Sequence, residues 1–405
     1  MPTILLKHAA TIHTADTKAP QDVLIVDGLI AEVAADITPR ATPDETVDLD
    51  GWLLLPSAVE PHAHLDKAFL AELIVNPTGD LMGAITAMQA SRHLLSVETI
   101  IERAERAARL MAANGYRAVR THADTTVEHG LRSIEALTEV RRRVADLIDV
   151  EIVALCGWPV VGVAGADQRA LLHDAMAAGA DLVGGCPHLE FDAGTAAATD
   201  VLLQVATDHG VGVDLHTDET LDASVLGLVE LAERVLGGFE HRVTASHCVS
   251  LGMQSTSRQQ QIAELVAEAG ISVVALPHTN LFLQGRGAAP MPRGLTAVAA
   301  LRAAGVNVAA GADNLQDPFN PVGRACPFET AGLMVMASHL LPHEAWESVS
   351  SASAAALDLE VGTIAPGAAA DLLAVRATTV REAIAFGPDA RRVWRRGVVI
   401  ERSDA

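Results

Sequence analysis

Eight short apolar runs recur through the middle of the chain, and stretches with helical periodicity separate them. The first run precedes His62, and the others cover residues 116–122, 150–156, 181–186, 211–216, 242–247, 271–278 and 306–313. The intervening stretches, such as VETIIERAERAARLMAAN, are rich in residues that favour helices. Apolar strands that alternate with amphipathic helices predict a parallel sheet covered by helices. Eight such units favour closure into an α/β barrel, the (β/α)8 arrangement, over an open sheet.

Strand-like segments also occur at both ends of the chain. TILLKHAATI and DVLIVDGLIAEVAA near the start, and VGTIAPGAAADLLAV and RRVWRRGVVIERSD near the end, alternate strand-forming residues with turn residues. Chain termini often lie close together, so both ends can build one small domain. We therefore predict a distorted (β/α)8 TIM-like barrel over residues 53–361. A β-sandwich domain is expected from residues 1–52 together with residues 362–405.

Composition restricts the classes of partner. The 405 residues include 51 acidic and 29 basic side chains, which gives a formal net charge of −22. A surface this acidic repels nucleic-acid phosphates and anionic membranes, so we expect neither as a partner. The four cysteines are scattered without a CxxC pair, which is typical of the reducing cytosol. Because the sequence has no long apolar segment and no leader pattern, we predict a cytoplasmic protein.

Histidine and aspartate residues stand where several of the apolar runs end. The first run leads into His62 and His64, the fifth ends in His216, the sixth in His247 and the eighth in Asp313. A (β/α)8 barrel places its functional groups at the carboxyl ends of its strands. His62 and His64 are two residues apart on extended backbone, so their imidazoles point to the same side. With His216 and Asp313 they form a candidate ligand set for one divalent metal ion.

Five motifs occur in a fixed order along the chain: PHAHLDK, DLHTDE, VTASH, NLFLQGR and GADNLQDPF. In this order they resemble the amidohydrolase superfamily, and more narrowly its cytosine deaminase branch. The segment IAPGAAADLLAV resembles the C-terminal strand segment of the same superfamily. The resemblance covers nearly the whole chain. It implies a barrel with a β-sandwich from both termini, a small heterocyclic substrate and a homo-oligomer.

The resemblance also implies roles for individual residues. The metal ligands would be His62, His64, His216 and Asp313, with zinc or iron as the ion and manganese as a further possibility. His247 would contact the metal-bound water, and Asp313 would take a proton from that water. Glu219 would carry protons to the ring nitrogen and to the leaving amine. Dinuclear relatives carry a carboxylated lysine after the fourth strand, and this chain has none there, so we expect a single ion.

The expected substrate-binding positions depart from the cytosine pattern. Cytosine deaminases carry a glutamine after the third strand, whereas the matching position here is Gly157, beside Trp158. They also carry a second aspartate and a later tryptophan after the metal aspartate, where this chain has Asn314 and Phe319. Losing the glutamine amide changes the hydrogen bonds offered to a ring, while Asn314 can both donate and accept. We expect a different aminated heterocycle, such as a triazine, a pterin or a substituted pyrimidine.

Three other polar residues accompany these motifs. His122, at the end of the second run, is interpreted either as a packing residue or as a partner of a metal ligand. Asp66 and Lys67, directly after the first run, are expected to pair with each other beneath the site.

Three functions remain open from the sequence. The first is a deaminase that releases ammonia from a heterocycle, and the second is a related hydrolase that releases an alkylamine or opens a cyclic amide. The third is a catalytically silent barrel that acts as a binding protein. The complete set of candidate residues argues against this third reading: His62, His64, His216, Glu219, His247 and Asp313.

Overall fold

The structure is a computed structural model, and it describes residues 2–13, 16–17, 20–190 and 194–401. The strands of these ranges form one sheet of eight and one sheet of nine. In chain order the strands are β1 (Ile4–His13), β2 (Asp16–Thr17), β3 (Gln21–Val26), β4 (Leu29–Ala34), β5 (Glu45–Asp48), β6 (Leu53–Pro56), β7 (Ala58–Ala63), β8 (Tyr116–Thr125), β9 (Asp149–Cys156), β10 (Leu182–Gly185), β11 (Val213–Thr217), β12 (Val243–His247), β13 (Ser272–Ala275), β14 (Val308–Ala310), β15 (Leu372–Val375), β16 (Arg391–Arg395) and β17 (Val398–Ile400).

Helices connect most of the barrel strands. In chain order the α-helices are α1 (Leu81–Ala90), α2 (Val97–Ala113), α3 (Arg132–Arg143), α4 (Ala166–Ala177), α5 (Gly194–His209), α6 (Gly227–Leu236), α7 (Val249–Gly252), α8 (Thr256–Glu268), α9 (Pro277–Leu283), α10 (Val298–Ala303), α11 (Pro327–Ser338), α12 (Pro342–Ser348), α13 (Ser351–Ala356) and α14 (Val380–Phe386). Within the described ranges, no helix has both the length and the apolar character needed to cross a membrane.

The eight-stranded sheet is the predicted barrel. Its strands β7 to β14 are parallel and lie side by side in chain order. The ends of the sheet meet where the Asp313 amide donates to His62 O at 3.0 Å and the His64 amide donates to Asp313 O at 3.1 Å. A single bridge between Ala63 and Asp313 completes the closure, which makes the barrel distorted at this seam. The prediction of a (β/α)8 barrel is confirmed.

The nine-stranded sheet combines strands from both termini, as predicted. Its order is β17-β16-β15-β6-β1-β3-β4, with β2 and β5 also paired to β1. The apolar run before His62 is divided between the two sheets, because the Ser57 amide donates to Asp371 O while the next amide, of Ala58, donates to Gly115 O. Residues 53–56 therefore pair with terminal strands, although they were predicted to belong to the barrel. The domain bounds themselves stay a prediction.

The last two barrel strands are shorter than the apolar runs from which they were predicted. The run 271–278 ends as a strand at Ala275, because α9 begins at Pro277. The run 306–313 ends as a strand at Ala310, and Asp313 lies three residues beyond it with a positive φ of 64°. Apolar character continues past the end of each strand, so the sequence alone did not reveal these boundaries.

Gly184 in β10 lies where the barrel leaves no room for a side chain. A Cβ at this position would stand 2.6 Å from Val153 Cγ1 and 3.1 Å from Asp214 O. We expect Gly184→Ala to lower the free energy of unfolding by about 1–3 kcal/mol, because the added methyl group overpacks the wall between strands. Chemical denaturation measures this change. Gly332→Ala in α11 is the control, since its nearest contact would be 3.7 Å away, and an equal loss there would contradict the explanation.

Candidate metal centre and active site

The four side chains predicted to bind metal converge at the carboxyl end of the barrel. His64 Nε2 lies 3.2 Å from Asp313 Oδ1 and 3.3 Å from His216 Nε2. His62 Nε2 lies 3.6 Å from Asp313 Oδ1. Ligand atoms bound to one ion at 2.0–2.1 Å in a tetrahedral site are about 3.3–3.4 Å apart. The spacing of the four side chains therefore fits a single bound ion.

Several polar atoms of this cluster are buried without a hydrogen-bond partner, including His62 Nε2, His247 Nε2 and both carboxylate oxygens of Asp313. Proteins rarely leave such atoms unpaired, because each one costs roughly 1–3 kcal/mol. Burial, followed by the neighbouring imidazoles, lowers the pKa of His62 and His216 well below the usual value, so both rings are neutral ligands. Burial alone would raise the pKa of Asp313, but the adjacent imidazoles of His64 and His247 lower it. This donor set suits a divalent ion.

A buried chain of hydrogen bonds orients the ring of His62. Ser246 Oγ lies 2.9 Å from His62 Nδ1 and donates to Asp214 Oδ1 at 2.9 Å. Because the Ser246 proton goes to Asp214, Ser246 accepts the proton of His62 Nδ1, and Nε2 is left free to face the cluster. Asp214 is held in turn by the fully buried Arg120, which donates to Asp214 Oδ2 at 2.9 Å and to Glu151 at 2.6 Å. The orientation of a metal ligand thus depends on a network inside the barrel.

Lys67 lies beside another ligand. Its Nζ is 3.0 Å from His64 Nδ1 and donates to Asp124 Oδ1 at 2.6 Å, whereas Asp66 Oδ1 is 3.8 Å away. The pairing of Lys67 with Asp66 that the sequence suggested is therefore secondary to the pairing with Asp124. Burial alone would lower the pKa of Lys67, but the carboxylates of Asp124 and Asp66 raise it, so the side chain is a cation.

His122 packs against the ligand rings. Its ring centroid lies 3.9 Å from that of His62 and 4.8 Å from that of His216. Its Nε2 is 3.7 Å from Asp214 Oδ1, which is longer than a hydrogen bond. Burial, followed by the charge of His64, lowers its pKa well below the usual value, and the ring is neutral. Of the two interpretations of His122, these contacts favour packing.

Asn280 links His247, which is expected to contact the metal-bound water, to Glu219, which is expected to carry protons. Its Nδ2 donates to His247 Nδ1 at 3.1 Å and to Glu219 Oε1 at 3.4 Å. Because His247 Nδ1 accepts, the proton of the neutral ring is on Nε2, which faces Asp313 Oδ2 at 3.9 Å. Burial lowers the pKa of His247 to about 4. Burial, followed by the charge of Asp313, raises the pKa of Glu219 well above its usual value, so this carboxyl group can hold a proton at neutral pH.

A cavity of about 540 Å³ opens above these groups, between the strand ends and α1. Its volume falls in the range of about 300–1,000 Å³ that is usual for small-molecule sites. The inner end is polar, and the side nearer α1 is largely apolar, with Leu81, Ile85 and Met88. The predicted substrate-binding residues all line this cavity: Gly157, Trp158, Asn314 and Phe319.

The Asn314 amide is largely engaged by the protein itself. Its Nδ2 donates to Asp317 Oδ2 at 2.7 Å, and its Oδ1 accepts from Thr279 Oγ1 at 3.2 Å. Gly157 is constrained by a different neighbour, since a Cβ there would lie 2.9 Å from Gln168 Oε1. Asp317 belongs to the same motif as Asn314, whereas Thr279 and Gln168 come from segments that the sequence did not connect to these positions.

Ser246, Asn280 and Gln168 were not among the candidate residues predicted from the sequence. Ser246 directly precedes His247 in the motif VTASH, and Asn280 opens the motif NLFLQGR, so both could have been found from their place in these motifs. Gln168 lies on α4 outside the five motifs, and the sequence gives no indication of its role. All three act through contacts between separate segments, which only the fold displays.

Residues 70–401 match the family model described as "Amidohydrolase family". The chain belongs to the amidohydrolase family. This amidohydrolase is 36% identical over 394 residues to the pterin deaminase of Rhizobium rhizogenes, an alignment that covers 94% of this chain and 88% of the relative. Its fold matches the 5-methylcytosine deaminase of Klebsiella pneumoniae, solved with 5-fluorocytosine, with a TM-score of 0.89, 30% identity and coverage of 99% and 98%. For the N-isopropylammelide isopropylaminohydrolase of Burkholderia multivorans, the TM-score is 0.84 at 29% identity, with 98% of both chains covered.

These relatives confirm the family predicted from the five motifs. The amidohydrolase is accordingly a hydrolase of carbon–nitrogen bonds other than peptide bonds, and the alternative of a catalytically silent barrel is not retained. The cluster of histidines and aspartate, together with the family, indicates a divalent metal ion. The choice among zinc, iron and manganese stays a prediction, as do the roles of the individual site residues.

Removing the hydroxyl group that orients His62 should weaken metal binding. We expect Ser246→Ala to lower the affinity for a divalent ion by about 10- to 100-fold, because the Nδ1 proton of His62 loses its acceptor. Competition with a chelator measures the affinity. Ser348→Ala is the matched control, since that buried hydroxyl donates to Ala345 O at 2.7 Å within α12. Equal affinities in both variants and the parent protein would contradict the role of Ser246.

Proposed function

We propose that this amidohydrolase is a metal-dependent aminohydrolase that releases ammonia from a 2-aminopteridine of the pterin type. The observation that carries the proposal is the buried group of Glu219, Asn280 and His247 beside the ligand cluster, at the inner end of a cavity of about 540 Å³. The 36% identity to a pterin deaminase supports the substrate class. The cavity volume suits a bicyclic ring.

The metal ligands in this proposal are His62, His64, His216 and Asp313. A divalent ion held there supplies a water molecule whose pKa is lowered toward about 7, so that a nucleophile exists at neutral pH. Protein side chains carry out the other steps of the reaction.

Three side chains act on the attacking water and the substrate ring. Asp313 accepts a proton from the attacking water, and His247 orients the attacking oxygen by donating from Nε2. Glu219 carries the proton that its raised pKa allows it to hold, and delivers it to the ring nitrogen beside C2. Oxygen then bonds to C2, the bond from C2 to the exocyclic nitrogen breaks, and ammonia leaves. The proton on the ring nitrogen is the one that Glu219 held. Of the two water hydrogens, one leaves on ammonia and the other restores the proton of Glu219, and the product carries a carbonyl group at C2.

The charges around the cavity favour a neutral substrate. The lysine and arginine that line it are each paired with a carboxylate: Lys67 with Asp124 at 2.6 Å, and Arg92 with Glu128 at 2.7 Å. A phosphate group would have to compete with these carboxylates for the cations. An unphosphorylated heterocycle fits the cavity better than a nucleotide.

A second candidate function is the release of an alkylamine. The fold similarity to an isopropylaminohydrolase, with a TM-score of 0.84, supports it. Apolar side chains such as Ile85, Met88 and Leu95 line part of the cavity and could contact an alkyl group.

Ammonia release from pterin tests the proposed function. Enzyme loaded separately with zinc, iron and manganese should convert pterin to 2,4-dioxopteridine and ammonia, with the products identified by a coupled ammonia assay and chromatography. Cytosine, 5-methylcytosine, guanine and N-isopropylammelide complete the panel. Release of isopropylamine from the last compound, without ammonia from pterin, would favour the second candidate. Absence of ammonia from pterin at stoichiometric metal loading would overturn the proposal.

Replacing the proton carrier tests the mechanism. We expect Glu219→Gln to lower kcat by about 10²- to 10⁴-fold at unchanged metal content, because an amide cannot deliver the proton to the ring nitrogen. Steady-state kinetics and metal analysis on the same preparation measure both quantities. Glu240→Gln, at an exposed position, should behave as the parent protein. A kcat near the parental value in Glu219→Gln would exclude the assigned role.

A further inference from the structure

The side chain of Gln168 reaches from α4 toward Gly157, just beyond the end of β9. Both residues line the cavity. A Cβ on Gly157 would lie 2.9 Å from Gln168 Oε1 and 3.4 Å from Gln168 Cδ. The amide of Gln168 therefore occupies the region where a side chain at position 157 would begin, and residue 157 has to be glycine for the amide to remain there.

Gln168 retains one free hydrogen-bonding position. Its Nε2 donates to Thr125 O at 2.7 Å. Its hydrogen bond with Cys156 opposes the rise in the pKa of that thiol, which is the effect of an N–H group donated to the sulfur and not of a thiol donating to Oε1. Its Oε1 accepts from the Val127 amide at 3.2 Å. An amide oxygen has two lone pairs, so one acceptor position remains on Oε1. Because Oε1 is the amide atom nearest Gly157, this acceptor faces the space that the glycine leaves open.

The amide of Gln168 lies at a different distance from the backbone of residue 157 than the amide of a glutamine at that position would. Such a glutamine would carry its amide two methylene groups beyond its Cα. The Gln168 amide lies instead near the level of a Cβ at that position. Gln168 lines the same cavity as the candidate ligands His64, His216 and Asp313.

We propose that Gln168 Oε1 accepts an N–H group from the second ring of the substrate, and that the enzyme therefore prefers aminopteridines with an N–H at N5 or N8 over pterin itself. This inference rests on the proposed function. The reacting carbon C2 lies across the first ring from the fused bond, so N5 and N8 belong to the part of the substrate farthest from the metal centre. In pterin, N5 and N8 each carry a lone pair, and either one would be repelled by the lone pair of Gln168 Oε1. A 6-oxo or 7-oxo group places a hydrogen on N5 or N8.

The size of the preference follows from the burial of Gln168, which is 5% exposed. A buried acceptor that one substrate satisfies and another leaves unpaired discriminates between them by about 5- to 100-fold in kcat/KM. The substrate with the N–H is the preferred one. The contact is made by the part of the substrate that does not react, so it affects recognition and not the chemistry at C2.

Kinetics on three aminopteridines test the assignment. Values of kcat/KM are measured for pterin, xanthopterin (6-oxo, N5–H) and isoxanthopterin (7-oxo, N8–H), with the parent enzyme and Gln168→Met. We expect one oxo compound to exceed pterin by at least about fivefold in the parent enzyme. In Gln168→Met, which keeps a similar side-chain length without the acceptor, the ratio should fall to within about twofold of one. Gln254→Met is the control, since Gln254 also braces a loop, donating to Ala223 O at 2.7 Å, and its ratio should match the parent enzyme.

Each alternative result has a separate meaning. If neither oxo compound has a higher kcat/KM than pterin in the parent enzyme, Gln168 does not accept a hydrogen bond from the second ring, and the assignment is wrong. If Gln168→Met lowers kcat/KM for all three compounds by the same factor, the residue only braces the segment from Thr125 to Val127, and the assignment is wrong. Both results leave the proposed function in place. If metal-loaded parent enzyme releases no ammonia from any of the three compounds, the proposed function itself fails, and the assignment fails with it.

Discussion

Two backbone hydrogen bonds close the barrel, and they also bring the metal ligands together. The Asp313 amide donates to His62 O, and the His64 amide donates to Asp313 O. The same bonds join the first strand to the segment that follows the eighth. Asp313 adopts a positive φ of 64°, a conformation that costs roughly 1–3 kcal/mol for a residue other than glycine. Closure offsets this cost, so the position of the carboxylate in the ligand cluster depends on the completed barrel.

The convergence of the four candidate metal ligands could be predicted because their positions follow from strand geometry alone. The spacing of two residues between His62 and His64 puts both rings on one side of an extended strand. Parallel order then places the ends of all the strands at one end of the barrel, so His216 and Asp313 must lie near them. Periodicity and the order of the runs are sufficient for this prediction. They do not separate β6 from β7, because both strands are largely buried and apolar residues dominate the run before His62.

The residues that orient the site could not be predicted in this way. Ser246 bonds the ring of a histidine 184 positions away, and Asn280 bonds a carboxyl group 61 positions away. Such pairs depend on which side chains the closed barrel brings face to face, and on rotamers that the composition of a motif does not specify. The partner of Lys67 could not be predicted for the same reason. Its Nζ lies 3.8 Å from Asp66 Oδ1, the sequence neighbour, but 2.6 Å from Asp124 Oδ1, which the fold brings close.

The fold allows chemistry and recognition to change separately. The ligands lie on or next to strands whose spacing is set by backbone hydrogen bonds, so they cannot shift without opening the barrel. Gln168 belongs to α4, outside the sheet, and its amide bonds Thr125 O at the end of β8 and the Val127 amide just beyond it. With glycine at position 157, the amide of Gln168 on α4 takes the space just beyond the end of β9. The candidate ligand cluster can therefore stay unchanged while this wall of the cavity changes, because Gln168 takes no part in the hydrogen bonds that close the sheet.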